Sequence, residues 1–342
     1  MLKTLSLAAL LSLGTAVMAQ ADDPQRGGTL VFTAPYGSSF STLDGHDSMK
    51  IMEQFVTTAM HRSLYQWDSN ENAPRLELAE SVDVSDDNKV YTYHLRKDAV
   101  FHNGKPLTAD DIIFSYERIA NPANAMPGAR YIQLIEGGAE YNSGEAESIS
   151  GLNKIDDNTI EITLVNPGNP GFALMQVTTV IMPSDVDPAQ QAVNPVGIGP
   201  FTFKDHLPGS KAVFERFDDF YLEGKPYLDQ LDIVLMGDGA ARDVAFRNKE
   251  IDVSVLGPAQ YQEYQEDPAL KDNLLEVAEV FTRMMGFNLD EEVFKDVRVR
   301  QAINHAIDSD LIIDKLARGK AFRAVSWLPI SSPAFNQDAE PY

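Results

Sequence analysis

Side chains able to do chemistry are plentiful in this sequence, but their spacing does not build a catalytic or metal centre. Six histidines (His46, His61, His94, His102, His206 and His305) are scattered over the 342 residues, and none forms an H-E-x-x-H, an H-x-H or another close ligating pair. With no cysteine, thiolate metal sites, iron–sulfur clusters, disulfides and cysteine nucleophiles are excluded. The sequence contains no G-x-S-x-G elbow, no G-x-x-x-x-G-K-[ST] loop and no D-x-[DN]-x-[DN]-G calcium loop. Gly197-Ile198-Gly199-Pro200 only superficially resembles a phosphate-cradling fingerprint. Pro200 cannot open the helix that such a loop requires, so a turn is expected there.

Adjacent acids recur at Asp22-Asp23, Asp86-Asp87, Asp110-Asp111, Asp156-Asp157, Asp218-Asp219 and Glu291-Glu292. Neighbours in sequence point apart on a strand, so these pairs do not report the carboxylate separation a glycosidase needs. Each is expected to be a solvated acidic face. The chain as a whole carries 28 basic and 51 acidic residues, a formal charge of −23. That balance repels nucleic-acid phosphates and an anionic membrane surface, and no cluster of cations offsets it. The sequence therefore gives no positive support to catalysis, metal binding, cofactors or nucleic-acid binding, and its charge excludes partners better than it identifies them.

The elements that must position such a site begin after a targeting segment. Met1-Leu2-Lys3, the apolar run Leu5 to Val17 and Ala19-Gln20-Ala21 form a charged start, a hydrophobic stretch and an A-x-A cleavage pattern. The run is too short to span a bilayer, which takes about 20 apolar residues. A signal peptide over 1–21, cut after Ala21 or Ala19, predicts export to the periplasm as a soluble, monomeric protein. Downstream, strand-like and helix-like segments alternate, which predicts a mixed α/β fold. Strands are expected at Thr29 to Thr33, Val90 to Leu95, Thr159 to Val165, Ala212 to Phe217, Leu231 to Leu235, Ile251 to Leu256 and Val280 to Leu289. Helical periodicity runs from Met49 to Tyr65, a second helix opens at Thr108 with Asp111 completing its cap, and a third spans Asp296 to Ala317 with a break near Asp308. The 11 methionines and both tryptophans, Trp67 and Trp327, are expected to pack in the interior.

Several stretches, in order, resemble the family 5 extracellular solute-binding proteins, the dipeptide and oligopeptide receptors of ABC importers. Gly27-Gly28-Thr29-Leu30 is similar to the family's first strand. Asp86 to Arg96 followed by Val100-Phe101-His102-Asn103-Gly104-Lys105-Pro106-Leu107-Thr108-Ala109-Asp110-Asp111 resembles its strand, Leu-Arg, Phe-His-x-Gly-x-Pro and Thr-Ala-Asp-Asp sequence. Gly197-Ile198-Gly199-Pro200-Phe201 and Tyr221-Leu222-Glu223-Gly224-Lys225-Pro226 look like further family segments, as does Val297-Arg298-Val299-Arg300-Gln301-Ala302-Ile303 with Ala306-Ile307-Asp308. Asn248-Lys249 departs from the pattern, standing where the family usually has glycine before Glu-Ile-Asp.

The resemblance implies a type II periplasmic-binding-protein-like fold, two lobes around a hinged cleft. Residues 22–50 and 190–280 would form lobe I discontinuously, 51–189 a subdomain inserted in it, and 281–342 the start of lobe II. Most of lobe II would be missing, and the chain is expected to be a fragment. The implied partners are a small-molecule or peptide ligand and an inner-membrane ABC permease with its ATPase subunits. Peptide is the leading ligand; sugars, opines, nickel chelates and haem remain open, as does a secreted hydrolase. Ligand contacts are expected at strand ends facing the cleft. The candidates are Tyr36, Gly37 and Ser38 after the first strand, Gly257 and Pro258 with the rings of Tyr261 and Tyr264, and Met285, Gly286, Phe287 and Asn288, which resemble the family's crossing strand.

Overall fold

Residues 24–33, 39–207, 209–276, 281–330, 332 and 334–340 are described in a computed structural model of the protein. In chain order the first half contains β1 (Thr29–Thr33), α1 (Ile51–Met60), β2 (Tyr65–Asp68), β3 (Ala73–Leu76), β4 (Ala79–Val84), β5 (Val90–Leu95), α2 (Ala109–Ala120), α3 (Ala129–Ile132), α4 (Gly138–Ser143), β6 (Leu152–Asp156) and β7 (Thr159–Thr163). Then come α5 (Gly171–Leu174), β8 (Phe201–Leu207), β9 (Lys211–Arg216), β10 (Gln230–Val234), α6 (Gly239–Arg247), α7 (Pro258–Glu266), α8 (Glu292–Lys295), α9 (Val297–Ala306) and α10 (Ser309–Lys315).

Two four-stranded sheets organise these elements. The first has the order β1-β10-β9-β8, with β1 and β10 parallel and the other pairs antiparallel. Met52, Val56, Ala59 and Met60 of α1 recur at helical spacing and pack on Phe201, Ala212, Phe214 and Ile233 of this sheet. The second sheet, β4-β5-β7-β6, is antiparallel throughout. Tyr91, Tyr93 and Leu95 alternate inward from β5, as do Ile160 and Ile162 from β7, and meet Ile112, Tyr116 and Ile119 of α2. The two cores touch where α1 ends. The Met60 carbonyl accepts a bond from Gly199 N–H at 2.7 Å. A Cβ at either Gly197 or Gly199 would collide with that carbonyl, so Gly-Ile-Gly-Pro is a close-approach turn, as expected from Pro200.

Several expectations change. Ile251–Leu256 is no strand: only Val253 bridges Phe32, because the neighbouring ladder position is taken by a side chain, Asp252 Oδ2 accepting from Val31 N–H at 2.7 Å. Residues 281–288 have no strand partner among the described residues and are irregular; Val280 lies outside them. The third helix divides as expected, Asp308 capping α10 through Leu311 N–H at 2.9 Å. Trp327 is 79% exposed rather than packed, and Met49, Met284 and Met285 are exposed as well, whereas Met52 and Met60 are core residues. Asp111 is not on a solvated face: it is fully buried.

Candidate ligand-binding cleft

β1, β10 and the Val253 bridge run parallel, so their carboxyl ends open on one side of the first sheet. Such ends are the usual place for a ligand crevice in α/β proteins. The first of them leads into Tyr36, Gly37 and Ser38, which lie outside the described residues. The second leads through Met236 and Gly237 to Asp238, whose Oδ1 caps α6 by accepting from Ala241 N–H at 2.8 Å. Arg242 NH1 donates to the Met236 and Gly237 carbonyls, 2.9 Å each, and fixes this turn. The third leads to Gly257 and Pro258. Gly257 is the cap residue of α7, and Pro258 takes the first helical position, where its missing N–H costs nothing. Gln260 joins the two helix starts, accepting from Gly257 N–H at 3.0 Å and donating to the Gly239 carbonyl at 3.1 Å.

Two adjoining grooves lie along α7, with Tyr261 and Gln265 as their common wall. The larger, about 560 Å³, is lined by Pro258, Tyr261, Gln262 and Gln265 from α7 and by Asp314, Lys315, Arg318 and Lys320 at the end of α10. The smaller, about 360 Å³, lies between Tyr261, Gln265 and the segment from Lys271 to Glu276. Lys320 Nζ stands 4.1 Å from the centre of the Tyr261 ring and pairs with Glu276. Arg318 NH1 donates to Gln262 Oε1 at 2.8 Å, which holds the α10 turn against α7. An aromatic face beside amides and paired charges, Lys315 with Asp314 and Lys320 with Glu276, suits a polar ligand with an apolar part.

The other candidates fall differently. Tyr264 is only 3% exposed. Its hydroxyl donates to Asp243 Oδ1 at 2.5 Å, and its ring lies under the Arg247 guanidinium. Burial, aided by the bond to Asp243, pushes its pKa up to about 12. Tyr264 thus binds α7 to α6 and has no face left for a ligand. Met285 is exposed, Phe287 packs on Phe294 with ring centres 5.2 Å apart, and Asn288 caps the turn into α8 by accepting from Asp290 N–H at 3.1 Å. A Cβ at Gly286 would meet nothing within 4 Å, so this glycine is not required by crowding. The structure therefore joins Pro258 and Tyr261 at one groove and leaves Met285, Gly286, Phe287 and Asn288 out of it. Sequence reasoning missed Lys315, Arg318 and Lys320. Their only signal was three cations within six residues of a strongly acidic chain.

Among the described residues no group of three or more His, Asp or Glu side chains could hold a metal ion, and no helix is long and apolar enough to cross a membrane.

Residues 73–342 match the family described as bacterial extracellular solute-binding proteins, family 5, middle region. The chain belongs to that family. Among family 5 relatives, the dipeptide-binding protein of Escherichia coli K12 is 30% identical over 283 residues, covering 78% of this chain and 51% of the relative. Haem-binding protein A of Haemophilus influenzae is 30% identical over 285 residues, 78% of this chain and 50% of the relative. The chain thus spans about half the length of these curated relatives. In fold it is similar to the ABC transporter-associated periplasmic binding protein DppA of Helicobacter pylori, solved with the peptide STSA. The TM-score is 0.75 at 24% identity, over 93% of this chain and 64% of that one. The family 5 fold expected from the sequence is therefore present, and the family is one of solute-binding receptors.

Proposed function

We propose that this chain is the ligand-capturing component of a periplasmic ABC importer and that its ligand is a short peptide. The observation that carries this reading is its 30% identity, over 78% of the chain, to a dipeptide-binding protein. The groove beside Pro258 and Tyr261 supports it. An extended backbone needs little side-chain specificity to bind, and hydrated walls tolerate varied side chains. Tyr261 stacks on the ligand, Gln262 and Gln265 bond to its backbone, and Tyr36, Gly37, Ser38 and Gly257 are further contacts from the strand ends. Residues 22–50 and 190–280 act as one lobe, with 51–189 inserted in it and 281–342 opening the second. Ligand touching both lobes favours the closed form, which a permease and its ATPase subunits then read. The chain acts as a monomer after signal cleavage, and it returns its ligand chemically unchanged.

A second reading, haem, is favoured by the haem-binding relative of equal identity. Titrating the purified chain with trialanine, tetra-alanine and haem separates the two. Saturable binding of one intact peptide per chain supports the proposal. Haem binding alone, cleavage of the peptides, or no binding overturns it.

A further inference from the structure

Three histidines lie where the two cores meet, two of them fully buried, and nothing in ligand capture calls for them. His61, at the end of α1, is fully buried, and neither of its ring nitrogens has a hydrogen-bond partner among the described residues. Its ring lies between two glycines: a Cβ on Gly197 would come within 3.0 Å of His61 Nδ1, and one on Gly45 within 3.6 Å of Cδ2. His46 is equally buried. It donates through Nε2 to the Val180 carbonyl at 2.8 Å and accepts from Arg118 NH1 at 2.7 Å. His102, half-buried, accepts from Gly197 N–H at 3.2 Å and donates to the Gly199 carbonyl at 3.0 Å. Each is thus held in its neutral form. A proton on His46 would have to displace Arg118, and one on His61 would have no acceptor.

The charges facing this junction add to the strain of protonation. Arg118 comes from α2, with NH2 bonded to Asp44 Oδ2 at 2.5 Å. Arg62 follows His61 directly and is tied to Glu77, Nε to Oε1 at 3.5 Å. Asp44 favours a proton on His61, but Arg118 already holds that carboxylate. Burial comes first among the causes that lower all three histidines, His46 to about 4, His61 to about 3 and His102 to about 4. The segments joined here are those that hold the cores together: α1 belongs to the first core, while α2, Ile181 and Ile198 belong to the second.

We propose that the His61 junction is an acid-sensitive latch, in which protonation of His61 parts α1 from the second core before either core unfolds. This goes beyond ligand capture and does not depend on it. A histidine that regains its ordinary pKa of about 6.5 on opening raises the opening constant roughly 25-fold between pH 7 and 5. If His46 and His102 open with it, the rise is on the order of ten-thousand-fold.

The test is hydrogen exchange of the whole chain at pH 7, 6 and 5, corrected for intrinsic rates. The amides of Ser48, His61, Ile181 and Gly199, which bond across or beside the junction, should lose protection by about 25-fold or more while those of β5 and β9 hold theirs. In H61F, which keeps a ring and loses the proton site, the rise should be smaller by about 25-fold. Loss of protection everywhere at once, a flat response at the junction, or an unchanged rise in H61F overturns the latch. Should H61F fail to fold, ring nitrogen spectra of the wild-type chain decide. A separate protonated species growing in below pH 6 supports the latch, and continuous titration of His61 near 6.5 in the closed protein overturns it.

Discussion

Replacing Asp111 by alanine should destabilise the protein by roughly 2–5 kcal/mol, whereas the same change at its neighbour Asp110 should cost less than about 1 kcal/mol. Asp111 is fully buried and its carboxylate accepts four hydrogen bonds. Oδ2 takes Thr108 N–H at 2.9 Å and Thr108 Oγ1–H at 2.8 Å, closing the cap of α2. Oδ1 takes Lys105 Nζ and Ser184 N–H, both at 2.8 Å. The cap is worth about 1 kcal/mol. Stranding the Ser184 amide costs about 1–3 kcal/mol, and Lys105, which keeps Ser184 Oγ at 2.9 Å and Asp185 at 3.5 Å, loses about 1 kcal/mol or less. Asp110 is 57% exposed and pairs with Lys154 at 2.7 Å, so screening leaves little to lose. Urea unfolding of wild type, D110A and D111A at pH 7 measures the contrast, read from midpoints at unchanged slope. The pH dependence checks its electrostatic part. Burial raises the Asp111 pKa, but the bonds from Lys105, Ser184 and Thr108 outweigh it and hold the group below its ordinary 3.8. A carboxyl depressed in this way stabilises the fold above that ordinary value, and the contribution is lost as the pH falls through its own lower one. The gap between wild type and D111A should therefore stay constant from pH 7 to 5 and narrow below about pH 4. Equal destabilisation by D110A and D111A would refute the reasoning.

The same geometry sets three further outcomes. G197A should lose about 2 kcal/mol or more, because the new methyl group meets the Met60 carbonyl and His61; thermal unfolding measures it, and a neutral result contradicts the close approach. Y264F removes the hydroxyl that bonds Asp243 and should cost about 1–2 kcal/mol of stability while leaving peptide affinity within twofold, which paired unfolding and calorimetric titrations would show. Y261A should do the reverse, weakening peptide binding about tenfold with under about 1 kcal/mol lost in stability, since its half-buried ring walls both grooves; unchanged affinity would remove it from the site.

Much of the fold was legible because its signals are local. β1 and β5 begin and end where β-branched and alternating residues begin and end, and the helix broken near Asp308 divides there because the Asp308 side chain caps α10. The failures have distant causes. Ile251–Leu256 has strand composition, but the Asp252 side chain takes the Val31 amide that a ladder would need. Asp111 reads as one of many acids because its burial is decided by Lys105 and by Ser184, which is 73 residues away. Its place in a cap was readable from Thr108, three residues before it; its two further partners were not.

The candidate site was half legible for the same reason. Pro258 and Tyr261 come after a strand-like segment and stand at the start of a helix, a local pattern that topology turns into a crevice wall. Tyr264 shares that helix, but three residues on it faces Asp243 and Arg247 of α6 instead of the groove, a difference set by how two helices pack. The opposite wall comes from the end of α10, more than fifty residues later in the chain, held by Arg318 on Gln262 and Lys320 over Tyr261. The net charge of −23 had suggested a surface hostile to anions everywhere. Locally the charges are closer to balance, since Lys315, Arg318 and Lys320 meet at one groove, with Lys315 paired to Asp314 and Lys320 to Glu276. An acidic group entering there meets Arg318, whose guanidinium is bonded to the neutral Gln262 amide, and is repelled less than the whole-molecule charge implies, because salt screens carboxylates more than about 8 Å away.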